Sequence, residues 1–277
     1  TLRVPASGQT SLLKARALGA DVRVVYSVDD ALNLARQHPD RDVVFLAIGF
    51  ETTTPPTAVA VLTAQREGLH NFSVLCNHVL TPAAMHAILN QAEPVALDGL
   101  VGPAHVSTII GTQAYEPFPA QYGLPVVIAG FEPLDIMQAI LMLVHQVNNG
   151  RAEVENEFTR AVNRQGNLRA QALVDEVMTL REAFEWRGLG SMPHSALRLK
   201  EAFAAFYAEC KFGVPAHTVA DHPQCLCGPI LQGHRQPQEC KLFATVCTPE
   251  HPQGACMVSS EGACAAHYHY GRHRQAA

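Results

Sequence analysis

Val43–Pro55 reads VVFLAIGFETTTP. Its first six residues are an unbroken apolar run rich in β-branched side chains, which suits a strand covered on both faces. Gly49 lets the chain turn sharply out of that strand. Thr52-Thr53-Thr54-Pro55 then supplies hydroxyls, free amides and a proline at a helix opening, suited to a cap or an anion. The same unit recurs along the chain. Strands are expected at Val22–Tyr26, Val43–Ile48, Phe72–Cys76, Leu97–Val101 and Pro125–Ala129. Helices are expected at Val28–Gln37, Pro56–Glu67, Pro82–Gln91, Val106–Tyr115 and Pro133–Asn148. Apolar strands alternating with helices define an α/β fold built on parallel sheet.

Beyond Ala152 the expected pattern is helical without strands as far as about Phe184, with Glu153, Glu155, Glu157 and Arg160 as a charged outer face. Gly166-Asn167 interrupts it and a second helix runs from Leu168. Phe184–Met192 (FEWRGLGSM) is Gly-rich and extended, and Ser195–Phe212 is helical again. From Pro215 the composition turns to Cys, His, Pro and Gly with little apolar periodicity. The expected organisation is an α/β domain over 28–150, a helical connecting region over 151–214 and a loop-rich, cysteine-rich domain over 215–277.

Of 277 residues, 48% are apolar and 16% charged, too apolar for a disordered chain and too mixed for a membrane protein. The longest apolar run, Ile136–Val147, is broken by Gln138 and His145. A formal net charge of −5 argues against nucleic acid as a partner. The sequence opens on Thr1 with no export signal in view, so a cytoplasmic location is expected. Leu2-Arg3-Val4-Pro5 reads like the interior of a domain, which suggests a fragment.

Two groups of residues could carry chemistry. Glu51, His78, His105 and Glu132 stand at four successive strand ends, separated by 27, 27 and 27 residues. In open parallel sheets, ligands bind outside the carboxyl ends of the strands. These four are therefore expected at one edge of one sheet, lining a common cleft. They form either a satisfied polar network, with the threonines merely capping, or a ligand or mononuclear metal site.

The second group is in the tail, where six cysteines are spaced C-x-C-x12-C-x6-C-x8-C-x7-C from Cys225 to Cys264. Zinc modules use tight C-x2-4-C knuckles, and none occurs here. Four thiolates on an iron–sulfur cluster with two left as a redox pair fit the count better, and the tail histidines keep zinc open. Disulfides or free thiols are further alternatives. Cys76 and Cys210 are expected to be small core residues.

GFETTTP at Gly49–Pro55, GPAHVSTIIG at Gly102–Gly111, GFEPLD at Gly130–Asp135, WRGLG at Trp186–Gly190 and the tail from Cys225 to Tyr270 together resemble the HypD family of [NiFe]-hydrogenase maturation proteins. The resemblance runs along essentially the whole chain. It implies two α/β domains of similar fold and a third holding a [4Fe–4S] cluster. It implies the partners HypC and HypE, and an iron that receives cyanide and carbon monoxide ligands. The family's cluster pattern, C-x14-C-x6-C-x16-C, falls on Cys225, Cys240, Cys247 and Cys264, and the remaining Cys227 and Cys256 match its redox-active dithiol. The family's CGTHM and GPGCPVC motifs do not occur in this sequence. Residues 1–27 are accordingly expected to be the remnant of a first α/β domain, and no iron-carrying cysteine is assigned.

Overall fold

The computed structural model describes residues 2–6, 10–91, 95, 97–214 and 222–271. The opening of the expected cysteine-rich domain, 215–221, and the last six positions lie outside the described residues.

After a short helix α1 (Leu12–Ala17), the chain enters α2 (Val28–Gln37), β1 (Val43–Gly49), α3 (Thr54–Glu67) and β2 (Phe72–His78). Helix α2 shows why its boundaries were readable. Ser27 Oγ accepts from the Asp30 amide while the Asp30 carboxylate accepts from the Ser27 amide, a reciprocal capping box. Val28, Ala31, Leu32 and Ala35 then recur at helical spacing and are all buried. Strands β1 and β2 pair in parallel, from Val43 opposite Phe72 to Gly49 opposite His78. Their core contains Leu32, Ala47, Val61, Phe72 and Val74, and it is closed by Val177, Leu197, Leu199, Phe206 and Tyr207 from far along the chain.

The chain continues through α4 (Thr81–Leu89), β3 (Leu100–Pro103), α5 (Ala104–Ile110), a 3-10 turn at Thr112–Tyr115, α6 (Pro117–Tyr122), β4 (Val126–Ala129), α7 (Pro133–Asn148) and β5 (Val154–Asn156). Strands β3, β4 and β5 form a separate parallel sheet in that order. Its core is built on Tyr115, Phe118, Val126, Ile128 and Val162. Helix α8 (Leu168–Val177) returns the chain to the first core, followed by β6 (Met178–Leu180), β7 (Ala183–Trp186), β8 (Gly190–Pro193) and β9 (Leu197–Leu199). The pairs β6–β9 and β7–β8 are antiparallel. A 3-10 stretch at Glu201–Phe206 and α9 (Ala208–Phe212) precede the tail, which holds α10 (Cys227–Leu231), two 3-10 turns and α11 (Ala263–Tyr270).

The fold is α/β with parallel sheets, as expected, and several local expectations are corrected. Val22–Tyr26 is irregular, and Tyr26 is fully exposed. Residues 152–184 are not strandless: Val154–Asn156 is a strand on β4, and Met178–Leu180 is another. Glu153, Glu155 and Glu157 recur every second residue, the period of a strand and not of a helix. The stretch expected as a helix from Ser195 begins as β9, with Leu197 and Leu199 buried on alternate positions. Cys76 is a core residue, but Cys210 is exposed.

The largest correction concerns the single sheet. The four strand ends fall on two sheets, because the free edge of β2 is occupied by the returning chain. Val74 bridges Tyr207 and Val79 bridges Ala196. The Arg181 guanidinium donates to the Cys76 carbonyl at 2.9 Å and to the Glu209 carboxylate at 2.5 Å. With that edge filled, β3 has no place beside β2 and starts a new sheet.

Candidate thiol centre and strand-end residues

The strand-end residues form two pairs. Glu51 and His78, after and at the ends of β1 and β2, are buried. One Glu51 carboxylate oxygen accepts from the Thr81 amide at 2.8 Å and the other from the Thr81 hydroxyl at 2.9 Å. Thr81 opens α4, whose own N-cap position, Leu80, has no side chain able to cap. Glu51 thus supplies the missing cap from a neighbouring loop, where negative charge suits the helix dipole. Burial still raises its pKa above the ordinary carboxylate range, against the hydrogen bonds to Thr81.

His78 Nε2 lies 2.9 Å from Thr57 Oγ1. The Thr57 hydroxyl gives its proton to the Thr53 carbonyl, so the ring nitrogen is the donor in this contact. Burial pushes the His78 pKa down to about 4. The threonines expected to cap α3 or hold an anion bond locally instead: Thr53 Oγ1 donates to the Phe50 carbonyl and Thr54 Oγ1 to the Glu51 carbonyl.

A pH prediction follows from His78. Between pH 6.5 and about 4 the unfolded chain binds this proton and the native chain does not, so stability falls as pH falls through that window. The full shift corresponds to about 3 kcal/mol. Denaturant midpoints measured at pH 7 and pH 4.5 should show the difference shrinking in His78→Gln, which keeps a donor for Thr57 but cannot titrate.

The other pair, His105 and Glu132, is exposed. The His105 ring packs on Phe131 with centroids 4.7 Å apart. Glu132 lies 3.8 Å from Arg160, whose main partner is the buried Asp135 at 2.5 Å. That guanidinium holds the Asp135 carboxyl below its usual range. Sequence reading gave no site role to Thr57, Thr81, Asp135 or Arg160, taking Arg160 only as part of a charged outer face. Two of them are visible in hindsight, because Asp135 follows the second GFE tripeptide by three residues and Thr81 opens a helix.

The tail cysteines gather in one small core. Cys227, Cys240, Cys247, Cys256 and Cys264 are buried beside Ile230, Leu242, Met257 and Ala265, with Cys225 packed against them. The Cys247 sulfur accepts from the Gln253 amide and the Cys227 sulfur from the Cys256 amide, both at 3.3 Å. Such N–H···S bonds favour sulfur in its thiolate form. Cys256 Sγ is 3.1 Å from Cys264 Sγ. The Cys225 thiol is pushed up to about 11 by burial and by the neighbouring Cys227, Cys240 and Cys247 sulfurs. At Cys256 the hydrogen bond with Cys227 lowers the pKa, but the one with Cys264 and burial outweigh it, for a net rise to about 12. Bringing a bound metal group to these sulfurs would reverse that balance by drawing off the protons.

Among the described residues, no three His, Cys, Asp or Glu donors are arranged for a single ion. A polynuclear cluster spreads its thiolate ligands more widely than one ion does, and the soft, buried donor set suits it. Among the described residues no helix is long and apolar enough to cross a membrane.

Fold and site together define an α/β protein whose described residues form two parallel sheets, with an appended, thiol-cored module. The chain belongs to the HypD family, whose sequence profile, described as "Hydrogenase formation hypA family", matches residues 1–271. It is 64% identical over 279 residues to the hydrogenase maturation factor HypD of Azotobacter vinelandii, covering 99% of this chain and 74% of that protein. Identity to the factor of the same name from Cupriavidus necator is 64%, covering 98% and 73%. For the Escherichia coli K12 factor identity is 43%, covering 97% of this chain and 72% of the relative.

Proposed function

We propose that the chain is a hydrogenase maturation factor, acting as an assembly scaffold with a redox-active accessory centre and not as a turnover enzyme. In this reading Cys225, Cys240, Cys247 and Cys264 hold a [4Fe–4S] cluster, and Cys227 and Cys256 are the adjacent dithiol. HypC and HypE are the protein partners. An iron receiving cyanide and carbon monoxide is the cargo. The observation that carries the reading is the gathering of six thiols into one small core, five of them buried and Cys225 packed against them. When bound, the cluster supplies one-electron chemistry beside a two-electron thiol pair. The chain's own part is to bury the sulfurs and to aim the Gln253 and Cys256 amides at two of them.

The 3.1 Å contact of Cys256 with Cys264 favours a second assignment, in which those two form the dithiol and Cys227 joins the ligands. Cys227→Ser and Cys264→Ser separate the two. The first assignment expects Cys227→Ser to retain its iron, sulfide and visible absorption while losing one titratable dithiol, and Cys264→Ser to lose the cluster. Iron analysis showing the reverse pattern makes Cys227 the ligand.

A further inference from the structure

The turn of the β7–β8 hairpin stands against the thiol core. Gly188 adopts left-handed backbone, φ +86°, and a β-carbon there would lie 3.3 Å from Cys227 Sγ and 3.2 Å from Leu231 Cδ1. From the opposite side, a β-carbon on Gly228 would come within 2.5 Å of the Gly188 carbonyl oxygen. Two facing glycines are what allow the turn to come this close to α10. Cys227 is only 2% exposed, and the turn forms part of the wall around its sulfur.

The other side of the hairpin is fixed to the strand-end loop. The Trp186 ring packs on Phe50 with centroids 6.3 Å apart. Its indole N–H donates to Ser195 Oγ at 2.9 Å. Ser195 is fully buried, donates in turn to the Met192 carbonyl, and accepts the Leu80 amide on its own carbonyl. Phe50 is the residue before Glu51 and is 44% exposed. One hairpin therefore touches Cys227 at its tip and the β1–α3 loop along its side.

We propose that the turn Trp186–Gly190 is a cover on the Cys227 sulfur, latched by Trp186 on Phe50, so that the strand-end loop sets access to this thiol. The inference rests on the reading of Cys227 as one of the dithiol pair. When that pair is oxidised, an incoming thiolate exchanges with it by forming a bond to the Cys227 sulfur while the Cys227–Cys256 bond breaks and Cys256 leaves as thiolate. Attack needs an open line to the sulfur, and the closed turn denies it. Gly188, Trp186 and Phe50 are positioning residues in this arrangement.

The test is a short iodoacetamide pulse on the reduced, anaerobically prepared protein, with each cysteine peptide quantified by mass spectrometry. Phe50→Ala removes the latch from the strand-end loop, and Gly188→Ala lifts the turn directly. Both should raise Cys227 alkylation roughly tenfold and leave Cys225 and Cys240 unchanged. Emission from Trp186, the one tryptophan of the sequence, should shift to longer wavelength in Phe50→Ala. An unchanged Cys227 rate in Phe50→Ala overturns the latch. An equal rise at every tail thiol overturns the cover, since it reports loosening of the whole module. If Cys227→Ser loses its iron, the dithiol reading fails by itself. Chelator-driven iron release then becomes the readout, faster in both variants if the turn covers the sulfur and unchanged if it does not.

Discussion

Cys240→Ala and Cys247→Ala proteins should be isolated without bound iron or sulfide and with the chain beyond residue 222 open to protease. Both thiols are buried in the tail core, and the Cys247 sulfur already holds the Gln253 amide. That core has five cysteines among its nine buried residues; the others are Ile230, Leu242, Met257 and one alanine, Ala265. Each large apolar side chain contributes about 2 kcal/mol on burial. Each ordered residue costs about 1 kcal/mol or more in backbone entropy. Three such side chains, with Leu226, Leu231, Phe243 and Tyr268 packed partly buried against them, fall short of the cost of ordering a segment of this length, and in the proposed reading ligand bonds to the cysteines supply the difference. On that reading, removing one ligand should cost the module its fold as well as its metal. Helices α2 and α3 pack in a separate core and should keep their far-ultraviolet signature. The measurement is iron and sulfide per chain together with limited proteolysis. A Cys240→Ala protein with its full iron content would remove that residue from the ligand set.

The sequence was most informative where local and global preferences agree. Helix α2 has its bounds written in Ser27, Asp30 and four apolar residues at helical spacing. Strand β1 is readable because it is apolar throughout and ends at a glycine. What stayed hidden depended on contacts between distant residues. Nothing near Phe72–His78 says that Tyr207 and Ala196 will take the edge of β2, and so nothing there says that the four strand ends divide between two sheets. The equal 27-residue spacing of Glu51, His78, His105 and Glu132 is a repeat of βα units. It fixes each residue's place in its own unit but not which units adjoin. The strand at Val154–Asn156 was legible in principle from the two-residue period of its glutamates. In the tail, composition announced a shared thiol core, but spacing alone could not say that Cys256 lies against both Cys227 and Cys264.

Gly111→Ala should be strongly destabilising to the second sheet's unit, by on the order of 3–5 kcal/mol. Gly111 ends the stretch GPAHVSTIIG and has φ 76° and ψ 174°, a region open essentially to glycine alone. The added methyl would lie 2.3 Å from the Arg164 carbonyl oxygen, 2.5 Å from the Gly166 nitrogen and 2.6 Å from the Gln165 carbonyl carbon. All three are backbone atoms, so no side chain can swing aside. The two loops are also joined by hydrogen bonds from Thr112 to the Asn163 carbonyl, Gln113 to the Arg164 carbonyl and Asn167 to the Ile109 carbonyl. Separating the strands of this junction to admit a methyl breaks those bonds and moves Val162, a member of the same core as Tyr115 and Phe118. Gly150→Ala is the matched control, because Gly150 also has a positive φ, 61°, but nothing within 4 Å of the new carbon. It should lose only about 1–2 kcal/mol from backbone strain. Urea midpoints of the two variants give the cost of the close approach by difference. Equal losses would mean that the loop around Asn163–Gly166 yields without penalty and that φ alone demands glycine at position 111.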